Sequence, residues 1–139
     1  MKNFQPSEFR GWHRLMDPKL LLVLDRFRDE WGKPVAVSPA EGAIGRRLNP
    51  PNISYHNISK WGLVKAIDVM PDGLRSGSDF RKVFEAAKKA GATGIGLYPD
   101  WKPKPGIHLD VRDGALAKWS AFNVSGKQTY FAIEKAFNL

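Results

Sequence analysis

Between residues 17 and 32 the apolar positions recur every three or four residues. Leu20, Leu21, Leu24, Phe27 and Trp31 fall on one stripe of a helix. Asp17-Pro18 supplies an N-cap and a proline at the first helical position, and Gly32 supplies the stop. The sixteen residues before it read as an irregular or short helical lead, with Ser7 and Glu8 marking a brief capped turn. PVAVS (34–38) reads as a short strand. No period holds from 39 to 64, where Gly, Pro, Asn and Ser are frequent. A loop of that length in a small domain is more often functional than not.

Alternation resumes in VKAIDVM, which predicts a strand with Ala66 and Asp68 on one face and Ile67 and Val69 on the other. A second helix is expected from about Ser78, as its cap, to Ala90, with Phe80, Val83, Phe84 and Ala87 facing inward. GATGIGLY reads as a glycine-punctuated strand, and WKPKPG as a loop held open by two prolines. In IHLDVR, Ile107, Leu109 and Val111 take one face while His108, Asp110 and Arg112 take the other. KQTYFAIEKAF at the end reads as a closing helix. Helices flanking a small, mainly antiparallel sheet make the fold class α+β. Neither a repeat nor a linker divides the chain, so residues 1–139 are expected to form one domain.

Composition narrows the chemistry. The chain contains no cysteine, which excludes disulfides, thiolate metal sites and cysteine nucleophiles together. The longest apolar run, LLLVL, is five residues, far short of a membrane span, so no membrane partner is expected. The opening MKNFQPSEFRGWH lacks the apolar core of a secretory signal, so the expectation is synthesis in the cytoplasm without a signal peptide. A net charge of +8 favours polyanionic partners, and nucleic acid or an anionic cell envelope would serve equally.

Three residues then stand out as candidate metal ligands: His56, Asp68 and His108. Two imidazoles and a carboxylate fill three corners of a zinc tetrahedron and leave the fourth open, as in hydrolytic zinc sites. Each has a plainer reading alone: His56 as an exposed loop imidazole, Asp68 as one acid on an amphipathic strand, His108 as a solvent-facing strand residue. Asp110 shares the face of His108, about 7 Å away at the backbone, and is the candidate acid/base or orienting residue. His13 reads as a surface or structural residue and Trp31 as core. Trp61 and Trp101 flank the candidate site, as groove walls or as loop anchors.

The order Ser54-Tyr-His56, Gly62, Ala66, Asp68-Val69, followed by GIGLYP, IHLDVR and Trp119, resembles the LAS-type zinc peptidases. These are the D-alanyl-D-alanine carboxypeptidases, the phage L-alanyl-D-glutamate endopeptidases and relatives that share a hedgehog-like fold. Their hallmark is Ser-x-His-x-x-Gly-x-Ala-x-Asp with a third histidine much later. FQPSEF and MDPKLLLVLDRFRDEWGKPVAVS resemble the segments that precede it, so the likeness runs along most of the chain. The resemblance implies zinc held by His56, Asp68 and His108, and a substrate carboxylate bound by Arg46 or Arg47. It also implies a metallopeptidase that cuts peptidoglycan stem peptides at a bond involving a D-amino acid. Combined with the missing signal, it implies a phage or prophage endolysin-like protein acting at the bacterial cell wall or carried in a virion, with other virion proteins as further partners.

Two departures accompany the likeness. His56 and Asp68 stand twelve residues apart where the family has seven, as if five were inserted around ISKWG. Three residues before the last histidine, where many relatives carry a carboxylate, stands Pro105; Asp100 and Asp110 are the nearby acids. These departures keep a second reading open: a cell-wall-binding or virion structural module with a degenerate metal site. A nucleic-acid-binding domain ranks last, because neither a recognition helix nor an aromatic ribonucleoprotein motif is present.

Overall fold

Asp17 caps the first long helix, α1 (Pro18–Trp31), by accepting the Lys19 amide at 2.9 Å. Gly32, at φ 76°, closes it by donating to the Arg28 carbonyl. The computed structural model describes all residues, 1–139. Its further elements are β1 (Val35–Val37), a one-turn helix α2 (Ile58–Trp61), β2 (Ala66–Pro71), α3 (Gly77–Ala90), β3 (Gly94–Tyr98) and β4 (Gly106–Asp110). The chain ends in β5 (Ala117–Val124), β6 (Lys127–Phe131) and a short α4 (Glu134–Phe137). Two 3-10 turns, Pro6–Phe9 and His13–Leu15, precede α1; the first has Gln5 as its cap, with Glu8 reaching back to the Gln5 amide.

The six strands form one sheet in the order β1-β2-β4-β3-β5-β6. Every pairing is antiparallel except β3 with β5. The fold is therefore α+β with a mostly antiparallel sheet, as the hydrophobic pattern implied. One face of the central strands is apolar. Ile67, Val69, Ile95, Leu97, Ile107 and Leu109 join Leu20, Leu24 and Phe27 of α1 and Phe80, Val83 and Ala87 of α3 in a single buried cluster of 27 residues. Each fully buried Leu, Ile, Val or Phe contributes about 1.5–3 kcal/mol, so this face anchors the sheet while the opposite face is left for polar side chains. No helix is long and apolar enough to cross a membrane.

Two expectations need correction. The cap of α3 is Ser76, not Ser78. Ser76 Oγ accepts the Asp79 amide at 3.3 Å, and the Asp79 carboxylate accepts the Ser76 amide at 3.1 Å. This reciprocal box needs an acceptor side chain three residues after the cap, and from Ser78 that position would be Arg81. The expected closing helix is mostly strand. Ser125 (φ 51°) and Gly126 (φ 81°) make a two-residue turn between β5 and β6, so Lys127–Phe131 returns as a hairpin strand and only Glu134–Phe137 is α-helical. Both central turn residues sit at positive φ, the geometry that matches the twist of paired strands, and the Thr-Tyr-Phe run suits a pleated surface.

Candidate metal centre

β2 and β4 are adjacent and antiparallel, in a register that sets Asp68 directly opposite His108 and Ala66 opposite Asp110. Ala66, with no side chain beyond Cβ, leaves room beside the two acids. Asp68 is further held by its backbone, whose amide donates to the Ala43 carbonyl at 2.8 Å and whose carbonyl accepts the Ser38 amide at 3.0 Å.

His56 arrives from the long irregular segment, which is well tied despite lacking a period. The Arg46 amide donates to the His56 carbonyl, and the Ile58 amide to the Arg46 carbonyl, both at 2.9 Å. The Asn57 side chain bonds the backbone of Leu48, Asn52 and Ser59. The extra residues between His56 and Asp68 are taken up by α2, capped by Asn57 and ended by Gly62 at φ 80°. A single helical turn advances the chain only about 1.5 Å per residue, so the insertion lengthens the path without carrying Asp68 away. Trp61 stacks on Tyr55 at 4.8 Å between centroids and donates to the Ser54 carbonyl, a loop anchor rather than a cavity wall.

The three candidate ligands converge. His56 Nε2 lies 3.3 Å and His108 Nδ1 3.2 Å from Asp68 Oδ1, and all three atoms lie within 4.8 Å of one another. Ligands about 2.0–2.2 Å from a tetrahedral zinc stand about 3.3–3.6 Å apart, so the 3.3 Å edge has tetrahedral length and the 3.2 Å edge falls just short of it. The side chains are buried, with residue exposures of 4% for His56 and 8% for each of Asp68 and His108.

The neighbours settle which ring nitrogens face inward. His56 Nδ1 lies 2.7 Å from the Ile44 carbonyl, which only accepts, so that nitrogen carries the hydrogen and Nε2 is free to ligate. His108 Nε2 lies 2.7 Å from Asp110 Oδ2, which leaves Nδ1 for the metal. Such outer partners fix the ring orientation and raise ligand basicity. Asp110 is itself held by Arg112, whose Nε lies 2.9 Å from Oδ1 and Nη2 2.6 Å from Oδ2. The donor set and its outer partners thus fit a divalent metal.

The charges are consistent with that arrangement. Burial alone would raise the Asp68 carboxyl, but hydrogen bonds from His108 and His56 outweigh it and hold Asp68 at about 2. Burial opposes charge on His108, but its two carboxylate partners, Asp110 and Asp68, push it up to about 9. Asp110 is held well below the ordinary carboxylate range, because the hydrogen bonds from Arg112 and His108 overcome its burial.

The group opens onto a cavity of about 280 Å³ lined also by Arg46, Tyr98, Trp101, Arg112, Trp119 and Tyr130. Arg46 thus reaches the site, whereas Arg47 turns away and lies over the Trp12 ring at 4.6 Å. Asp110 is fully buried behind His108 and does not line the cavity, so it stands where it can orient the imidazole but cannot meet a substrate. Asp100 is also turned aside and accepts the Asn123 amide at 2.7 Å. Trp101 does form a wall, stacked on Tyr98 at 3.9 Å. His13 lies outside the cavity lining, stacked on Phe9.

Sequence reasoning left Tyr98 and Arg112 without a role, and it missed the function of two glycines. A Cβ on Gly94 would sit 2.1 Å from Asp110 Oδ2, and one on Gly96 would sit 2.5 Å from the Trp119 ring. The Gly-x-Gly alternation was the available signal: in a strand it clears one face, here the face opposite Asp110 and His108. Trp119 fills the space over Gly96 and donates to the Tyr98 hydroxyl at 2.9 Å. No protein-family model, curated protein or solved structure matches the chain.

Proposed function

We propose that the protein is a zinc-dependent peptidase acting on peptidoglycan stem peptides, at a bond involving a D-amino acid. The observation that carries the reading is the convergence of His56 Nε2, Asp68 Oδ1 and His108 Nδ1 in the lining of a cavity, with the outer nitrogen of each histidine held by a partner of its own. The order of motifs around these residues resembles that of the LAS-type peptidases, which supports the substrate class, the hedgehog-like fold and a phage or prophage setting. The charge of +8 suits an anionic wall.

His56, Asp68 and His108 would hold the zinc, which supplies Lewis-acid activation of water and of the scissile carbonyl. Arg46 presents both terminal guanidinium nitrogens, since only its Nε is engaged, with the Gly42 carbonyl at 2.9 Å; that fork suits a substrate carboxylate. The Tyr98 hydroxyl lies in the cavity lining and accepts from Trp119 Nε1 at 2.9 Å. Burial raises the Tyr98 phenol well above its ordinary value, so it remains a donor throughout the neutral range.

One observation favours a second reading, a zinc-holding wall-binding or virion structural module. No carboxylate other than the ligand Asp68 lines the cavity, so the proton carrier that such hydrolysis uses is not an acid in the usual place.

Zinc content measured beside digestion of purified peptidoglycan separates the two. One zinc per chain, with new stem-peptide fragments that disappear in His56→Ala and His108→Ala, is the expected result. Stoichiometric zinc with no fragment from several wall chemotypes would favour the binding module, and a chain that takes up no zinc even on reconstitution would sink both.

A further inference from the structure

Arg112 follows His108 and Asp110 on the cavity side of the sheet, just past the end of β4. Its guanidinium is held on three sides. Asp110 engages Nε and Nη2, the Tyr55 ring lies 4.4 Å from its central carbon, and the Trp119 ring lies 5.4 Å away. Nη1 has no hydrogen-bond partner within the protein, and the side chain, 23% exposed, is among those that line the cavity. An arginine that served only to brace Asp110 would not need an unpaired edge in a side chain that lines the cavity. One fixed this firmly loses little rotamer freedom when it binds an anion.

The charge of the cavity points the same way. With a divalent metal in place, Asp68 and Asp110 offset its charge, and Arg46 and Arg112 leave the site with an excess of two positive charges. Its walls offer no second free carboxylate to compensate. A substrate with two negative groups matches this excess, and Arg46 is placed to take only one of them.

We infer that Arg112 is a specificity-determining residue: it binds a second substrate carboxylate through its free Nη1 edge, so that the preferred substrate is a peptide carrying two free carboxylates. The inference deepens the peptidase reading and rests on it for the identity of the peptide. The contact is a charge-assisted hydrogen bond in a partly dry site. Loss of such a bond costs roughly tenfold to a hundredfold in affinity.

The test uses two stem peptides identical except that one interior carboxyl is free or amidated. Each is assayed with the zinc-loaded wild type, Arg112→Lys and Arg112→Gln, with zinc content measured for every protein. kcat/KM is read for cleavage, and calorimetric Kd for the corresponding cleaved fragments. The wild type should favour the free acid by about tenfold or more in both readouts. In Arg112→Lys, which keeps a cation against Asp110, the preference should shrink towards unity with zinc retained. Arg112→Gln should abolish it.

Equal treatment of acid and amide by the wild type overturns the inference, as does a preference that survives both substitutions. If neither peptide is cut, the peptidase reading fails, and the Kd ratio still decides whether Arg112 recognises the carboxylate. Should a variant lose its zinc, the wild-type ratio decides alone, and a value of one overturns the proposal.

Discussion

His108 shows how one residue's surroundings set both its geometry and its proton. Asp110 takes Nε2, Asp68 faces Nδ1, and the paired carboxylates hold the imidazole cationic up to about pH 9 when no metal is bound. The sign follows from the raised value. The ion pairs of His108 stabilise the metal-free fold fully below its ordinary 6.5 and cease to do so as pH rises through about 9. Zinc needs Nδ1 bare, so below about pH 9 each zinc bound by way of this residue expels one proton. Asp68, held at about 2, stays ionised and adds no slope above pH 3. Apparent zinc affinity should therefore fall by about fiftyfold in all on going from pH 9 to pH 7, with the slope approaching tenfold per pH unit at the lower end. Competition with a chelating dye across that range measures it, and a flat profile would mean that His108 does not give up a proton to the metal.

Among the elements, β3 carries a constraint that its neighbours impose. Gly94 lies opposite Asp110 and Gly96 opposite His108, and each glycine leaves space that a side chain of the adjoining strand fills. Gly96→Ala would drive a methyl group into Trp119, whose indole also holds Tyr98 in place. Overpacking of this kind costs about 1–3 kcal/mol. We expect a lower urea midpoint of unfolding together with weaker zinc retention, because the side chains displaced adjoin the metal side of the sheet. A variant with unchanged midpoint and full zinc would show that β5 can shift away freely.

Across the whole molecule, the ligands come from segments far apart in sequence, so zinc would staple the long loop carrying His56 onto the central strands carrying Asp68 and His108. A ligand present at a hundred times its Kd adds about 2.7 kcal/mol to a fold that binds it only when native. Removal of zinc by a chelator should then lower Tm by roughly 5–15 °C, and zinc, but not magnesium, should restore it. A scan that does not move on chelation would argue against a metal in this position.

How much of this was legible in advance differs by element. α1 carried its cap, proline, stripe and stop within sixteen residues, and the alternation in 64–70 and 107–112 set the faces of Asp68, His108 and Asp110. Local pattern sufficed because those segments obey their own periods. β5 and β6 were hidden because their burial is partial and irregular along the strand; the hairpin is set by the Ser125-Gly126 turn and by pairing with β3. The start of α3 was misjudged by two residues because two serines competed, and Asp79 chose between them.

The sequence alone determined the fold class, the three candidate ligands and their order along the chain, since these depend on residue types and short-range periodicity. Only the tertiary structure decided that the twelve-residue spacing still returns Asp68 to His56, that Arg46 rather than Arg47 reaches the cavity, and that Asp110 lies behind the imidazole. The same packing left the edge of Arg112 open beside the site. Those outcomes depend on strand register and on the path of a loop through space, where each contact joins residues that no local window contains together.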